Sequence, residues 1–83
     1  MTNEGLDGKL GRVTGTARPG HIGEVMLAVG NRVEAYYAVP FDRAETIDRG
    51  VECVVVATHP KLSRTVLVTA KPGHDPIDQE PPL

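Results

Sequence analysis

The sequence has few of the residues that usually anchor the core of a small protein. Among 83 residues it has one cysteine, Cys53, one phenylalanine, two tyrosines and no tryptophan. A single cysteine excludes an intrachain disulfide, so the burial of apolar side chains must stabilise the fold. Eleven valines and nine glycines are present instead. Because β-branched valine favours strands over helices, we expect one small all-β domain.

Long hydrophobic runs are also missing. The longest have five residues, whereas a membrane-spanning helix needs about 20. The first residues lack the basic and apolar regions of a secretory signal. Residues 9–71 carry a net charge of +3 and the two ends a net charge of −5. This modest excess forms no basic run, so we interpret it as ordinary solvated charge and expect no membrane span in this chain.

Alternating apolar residues and turn residues predict five strands, over residues 10–16, 22–29, 32–39, 51–58 and 64–69. Residues 1–8 are predicted to be a flexible N-terminal segment, and 72–83 a disordered, proline-rich acidic tail. Five short strands without a long helix protect their edges best by closing into a barrel, here residues 9–71. This predicts an all-β, five-stranded OB-fold barrel. An SH3-like barrel is the structural alternative.

The number of residues in the connection between the second and third strands determines whether their apolar faces lie on the same side of the sheet. We expect the third strand to bury the face that carries Val33 and Tyr37. A two-residue loop of Gly30 and Asn31 would then put the apolar faces of the two strands on opposite sides. The sequence therefore predicts a three-residue loop or a β-bulge at this hairpin.

The order of turns and strands resembles a known family. The motifs are Gly11-Arg12-Val13-Thr14-Gly15, Pro19-Gly20, Gly23-Glu24-Val25, Arg32-Val33-Glu34-Ala35, Asp48-Arg49-Gly50-Val51, the valines of 54–56, and Val66-Leu67-Val68. Together, over residues 10–69, they resemble the soluble C-terminal domain of NfeD-like membrane proteins. No single motif carries this resemblance, which depends on their order and spacing.

The resemblance implies a soluble OB-fold domain that follows transmembrane helices. It also implies association with stomatin- or flotillin-like membrane scaffold proteins and a part in regulating membrane proteases. We accordingly expect the chain to be a fragment of a longer membrane protein rather than a short stand-alone relative. It would be held at the membrane through the missing part, on the cytoplasmic side.

No residue pattern predicts catalysis. Cys53 lies in a valine-rich strand, where a thiol usually serves as a small core side chain. Ser63 has no Gly-x-Ser-x-Gly elbow around it. The histidines adjoin glycine or proline and have no metal-ligand spacing: His21, His59 and His74. We expect no enzyme, no cofactor and no metal site.

Binding is the remaining class of function. Tyr36, Phe41 and Arg43 are the candidate partner contacts, since tyrosine and arginine often anchor protein interfaces. The alternative is that Tyr36 packs beneath a loop and Phe41 plugs the end of the barrel. A single-stranded nucleic-acid binder is the rival function, disfavoured by the few aromatics and the negative net charge. Pairing of an open strand edge would give a homo-oligomer.

Overall fold

A computed structural model of the chain describes residues 4–71. Its strands are β1 (Leu10–Gly15), β2 (Gly23–Val29), β3 (Arg32–Pro40), β4 (Glu52–Thr58) and β5 (Thr65–Ala70). They form a closed barrel in the order β1-β2-β3-β5-β4. β3 and β5 are parallel and the other neighbours are antiparallel. The predicted all-β, five-stranded OB-fold barrel is confirmed.

The core consists of small and branched side chains that alternate along the strands, as period-two patterning requires. Leu27 is the largest fully buried side chain, and Cys53 is buried with it, as predicted. The buried apolar residues are Val13, Ala17, Val25, Leu27, Ala38, Ile47, Cys53, Val55, Val66 and Val68. Every strand contributes to this core, so the barrel interior is filled by side chains.

The β2–β3 hairpin corrects our prediction of a bulge or three-residue loop, which is wrong. Val29 pairs directly with Arg32, so the loop has two residues. Gly30 has φ 67 at the first of them, the position where a type II′ turn takes glycine.

The same register puts the opposite face of β3 inside. Tyr36 lies across from Val25, and Ala38 across from Gly23, so the Tyr36 face points inward. Val33 is 64% exposed and Tyr37 54% exposed, on the outer face. Our assignment of Val33 and Tyr37 to the buried face is therefore wrong. The two-residue turn determines the register of β2 and β3, and this register leaves Val33 and Tyr37 exposed to solvent.

The β2–β3 pair is regular, but the β1–β2 and β4–β5 pairs each contain a register shift. The register shifts between Val13 and Gly15 of β1, and between Val55 and Ala57 of β4. Bulges of this kind bend and twist strands, which helps a five-stranded sheet to close.

The β3–β4 connection is tied to the barrel at two points. Ile47 and Ala17 exchange two backbone hydrogen bonds, with N···O distances of 2.8 and 3.0 Å. The Glu45 carboxylate accepts hydrogen bonds from the Thr69 hydroxyl at 3.0 Å and from the Ala70 amide at 3.1 Å. Although this connection has no regular secondary structure, it contributes Ile47 to the core.

The chain before β1 forms a 3-10 helix, Glu4–Leu6. Leu6 packs against the core, and the Gly8 amide donates to the Val55 carbonyl at 2.8 Å. The boundary of the N-terminal segment 1–8 stays a prediction. The predicted tail, 72–83, lies outside the described residues.

Candidate functional site

A groove of about 500 Å3 opens on the barrel surface. It lies where the β1–β2 and β4–β5 connections flank β2 and β3. Three exposed apolar side chains from separate elements line it: Ile22 before β2, Tyr37 of β3 and Leu62 before β5. In OB folds this face, with the same two loops, is the usual binding surface.

The β1–β2 connection takes its shape from a tight turn and a close backbone approach. Arg18 and His21 exchange two backbone hydrogen bonds around Gly20, which has φ 78. A Cβ at Gly23 would overlap the Gly15 carbonyl oxygen. Only glycine therefore lets the end of β1 lie against the start of β2, and this packing holds Ile22 at the rim of the groove.

The β4–β5 connection is organised by a histidine. His59 Nδ1 accepts hydrogen bonds from the amides of Lys61 and Leu62, both at 3.0 Å. The His59 amide donates to the Thr65 carbonyl at 2.8 Å. His59 thus closes the loop and positions Leu62. This local role leaves Nδ1 engaged by the backbone of its own loop.

Arg64 joins this loop to β3. It has φ 52, in the left-handed region that non-glycine residues rarely adopt. Its carbonyl accepts from the Tyr37 amide at 2.8 Å, and its guanidinium donates to the Ala35 carbonyl at 2.6 Å. The guanidinium also lies 4.5 Å from the centroid of the Tyr36 ring, within cation–π range.

The structure places Tyr36 apart from the other two predicted partner contacts. Tyr36 is half-buried, packs against the core, and donates its hydroxyl to Glu34 Oε1 at 3.3 Å. Phe41 is 57% exposed. Arg43 is exposed and lines a depression of about 310 Å3 with Pro40. Tyr36 and Phe41 are five residues apart on extended chain, or about 16 Å. Their role as partner contacts stays a prediction.

The groove itself has little charge. Among the described residues that line it, Glu24 is the one charged side chain, and its Oε1 accepts a hydrogen bond from the Thr14 hydroxyl at 2.7 Å. His21, Ser63 and Thr65 add polar groups at the edge. An apolar surface with one carboxylate suits an extended apolar peptide better than a phosphate backbone.

The side chains that the sequence analysis considered for catalysis are Cys53, Ser63 and the histidines. Burial raises the pKa of the Cys53 thiol from its ordinary 9.0 to about 11, and nearby Glu45 and Glu52 add to the rise. A hydrogen bond with the Gly11 backbone opposes it. A neutral, buried thiol is a poor nucleophile. Ser63 is exposed at the groove, and His74 lies outside the described residues.

Within residues 4–71, no three His, Cys, Asp or Glu side chains come together as metal ligands would. The helical structure in that range is too short to cross a bilayer.

Sequence reasoning missed the groove residues Ile22, Tyr37 and Leu62. Each is a large apolar residue that lies next to a turn or on the outer face of a strand. One such residue by itself does not indicate a binding site. Their convergence depends on barrel closure, because the residues come from three distant parts of the chain.

Comparisons with known proteins agree with this architecture. The soluble domain of the NfeD protein YuaF from Bacillus subtilis is 27% identical, with a TM-score of 0.67, over 81% of this chain and 75% of that one. The C-terminal domain of stomatin operon partner protein 1510-C from Pyrococcus horikoshii is 20% identical, with a TM-score of 0.65, over 86% and 95% of the two chains. This second likeness shows a shared fold.

No curated protein matches the chain. The family model of the NfeD C-terminal domain, however, matches residues 10–69, which include β1 to β4 and all of β5 except its last residue, Ala70. The chain therefore belongs to the NfeD C-terminal domain family.

Proposed function

We propose that this barrel is a non-catalytic protein-interaction module of an NfeD-like membrane protein. Its partner would be a stomatin- or flotillin-like scaffold protein, which binds through an extended apolar segment laid in the groove. The observation that carries this proposal is the convergence of Ile22, Tyr37 and Leu62 on one concave surface. Exposed apolar side chains that meet in a groove are typical of protein interaction sites.

The charge of the groove supports a protein partner over a nucleic acid. Glu24 would repel phosphates and attract a lysine or arginine at one end of the bound segment. The choice of a scaffold protein comes from the partners that the family resemblance implies. By holding such a scaffold at the cytoplasmic side of the membrane, the domain would regulate a membrane protease there.

Binding of the purified chain to purified stomatin-like and flotillin-like proteins tests this proposal. We expect Tyr37→Ser and Leu62→Ser each to raise the dissociation constant roughly tenfold or more, as loss of a central interface side chain does. Phe41→Ser is the matched control, because Phe41 is as exposed as Tyr37 but does not line the groove. Circular dichroism checks that all variants remain folded.

Two results would contradict the groove proposal. If Phe41→Ser or Arg43→Ala weakens binding while Tyr37→Ser does not, the partner contacts lie at the surface predicted from the sequence. If neither scaffold binds but an oligonucleotide does, with an affinity that falls as salt rises, the nucleic-acid function is correct instead.

A further inference from the structure

A part of β3 has a free edge. The Tyr37 amide donates to Arg64 on the side away from β2, and backbone direction alternates along a strand. The amide and carbonyl of Val33 therefore point away from β2 as well. Pairing of β3 with β5 begins only at Tyr37, so within residues 4–71 no strand pairs with Val33 on that side.

An apolar row leads to this edge on the outer face of the barrel. Ala28 pairs with Val33, and continuing the β1–β2 register by one residue puts Leu10 beside Ala28. Leu10 in turn pairs with Val54 of β4. Leu10, Ala28 and Val33 are all exposed. An exposed apolar row that ends at an unpaired strand edge is a template for adding another strand.

The residues on either side of Val33 carry opposite charges, so two copies of this segment could pair with each other. Arg32 precedes it and Glu34 follows it, with Arg32 Nη2 2.6 Å from Glu34 Oε2 within the chain. If two β3 strands meet antiparallel about a two-fold axis at Val33, each Glu34 faces the other copy's Arg32, which is a favourable pair in each direction.

Other registers are worse. A two-fold axis at Glu34 sets two carboxylates opposite each other. An axis at Ala35 is obstructed because the Arg64 guanidinium occupies the Ala35 carbonyl.

We propose that two copies of this chain form a dimer by antiparallel pairing of their β3 edges, centred on Val33. The two Val33 residues exchange two backbone hydrogen bonds, and the apolar rows join into one across the axis. A contact of one short strand pair is small, so the association is weak and depends on concentration. This inference goes beyond the proposed function, because it uses a different face from the groove.

Sedimentation of the full chain over a range of concentrations tests the dimer. We expect Arg32→Glu, and separately Glu34→Arg, to raise the dimer dissociation constant roughly tenfold, because each faces like charges across the axis. In a mixture of the two variants, every facing pair is again opposite in charge. We expect the mixture to form heterodimers although neither variant dimerises well alone.

A disulfide gives a second, independent readout. Paired residues of this type have Cα atoms about 5.5 Å apart, within the range that a disulfide bridges. We expect Val33→Cys to cross-link two chains on mild oxidation, and Phe41→Cys, equally exposed but away from the edge, to remain uncross-linked.

Several outcomes would overturn the proposal. One is a wild-type chain that stays monomeric at high concentration. Another is a mixture of charge variants that associates no better than either variant alone. A third is equal cross-linking of Val33→Cys and Phe41→Cys.

Discussion

At the scale of single residues, Gly23 shows how closely two strands approach in this barrel. A Cβ there would overlap the Gly15 carbonyl oxygen and lie 2.7 Å from the Thr16 carbonyl oxygen. These neighbours are backbone atoms, so relief requires β1 to move. At Gly15 an added Cβ would be 3.4 Å from the Glu24 Cβ, an ordinary contact. The two glycines lie close together across the β1–β2 pair but differ in the side chains that they tolerate.

We therefore expect Gly23→Ala to lower the free energy of unfolding by about 1–3 kcal/mol, the usual cost of overpacking. Gly15→Ala should change it by less than about 1 kcal/mol, because the restricted unfolded chain offsets any slight crowding. Urea denaturation of both variants measures the difference. Equal effects would mean that β1 moves away from Gly23 without cost.

At the scale of the elements, the β3–β4 connection depends on Glu45. This carboxylate accepts from the Thr69 hydroxyl and the Ala70 amide at the end of β5. Hydrogen bonds to a charged acceptor contribute up to about 3 kcal/mol each when they are buried, and less where the carboxylate, as here, is partly exposed to solvent. A partly buried carboxylate that joins a loop to the last strand therefore limits the motion of both.

We expect Glu45→Ala to lower the free energy of unfolding by about 1–3 kcal/mol and to speed hydrogen exchange at the Ala70 amide. Asp42→Ala is the control in the same connection, because within residues 4–71 the Asp42 carboxylate accepts a hydrogen bond only from the nearby Ala44 amide. If exchange at Ala70 is unchanged in Glu45→Ala, the carboxylate does not hold this strand end.

The β2–β3 hairpin shows how far the sequence predicts these elements. All five strands were predictable, because short alternating or continuous runs of apolar residues lie between turns that contain glycine or proline. The face of β3 was not, since Tyr36 and Tyr37 put an aromatic ring on each side. The two-residue turn at Gly30 determined the outcome. The groove was beyond prediction because Ile22 and Leu62 meet only after the barrel closes.

At the scale of the whole molecule, the buried Cys53 thiol links global stability to alkaline pH. Burial raises its pKa to about 11, against 9.0 for an ordinary cysteine. Between these values the unfolded chain releases a proton that the folded chain keeps, so stability falls as pH rises. Below the lower value both states hold the proton and the effect vanishes. At about 1.4 kcal/mol per pH unit, the loss approaches roughly 2–3 kcal/mol.

We expect this loss in the wild-type chain, but not in Cys53→Ala, when the free energy of unfolding is measured in urea from neutral pH to pH about 11. Other ionisable groups affect both chains alike, so the difference between them isolates the thiol. At neutral pH Cys53→Ala should be the less stable chain, because it leaves a small cavity in the core next to Gly11. The gap should then narrow as pH rises. A constant gap across this range would mean that the thiolate forms as easily in the folded barrel as in the unfolded chain, and that the core admits water at Cys53.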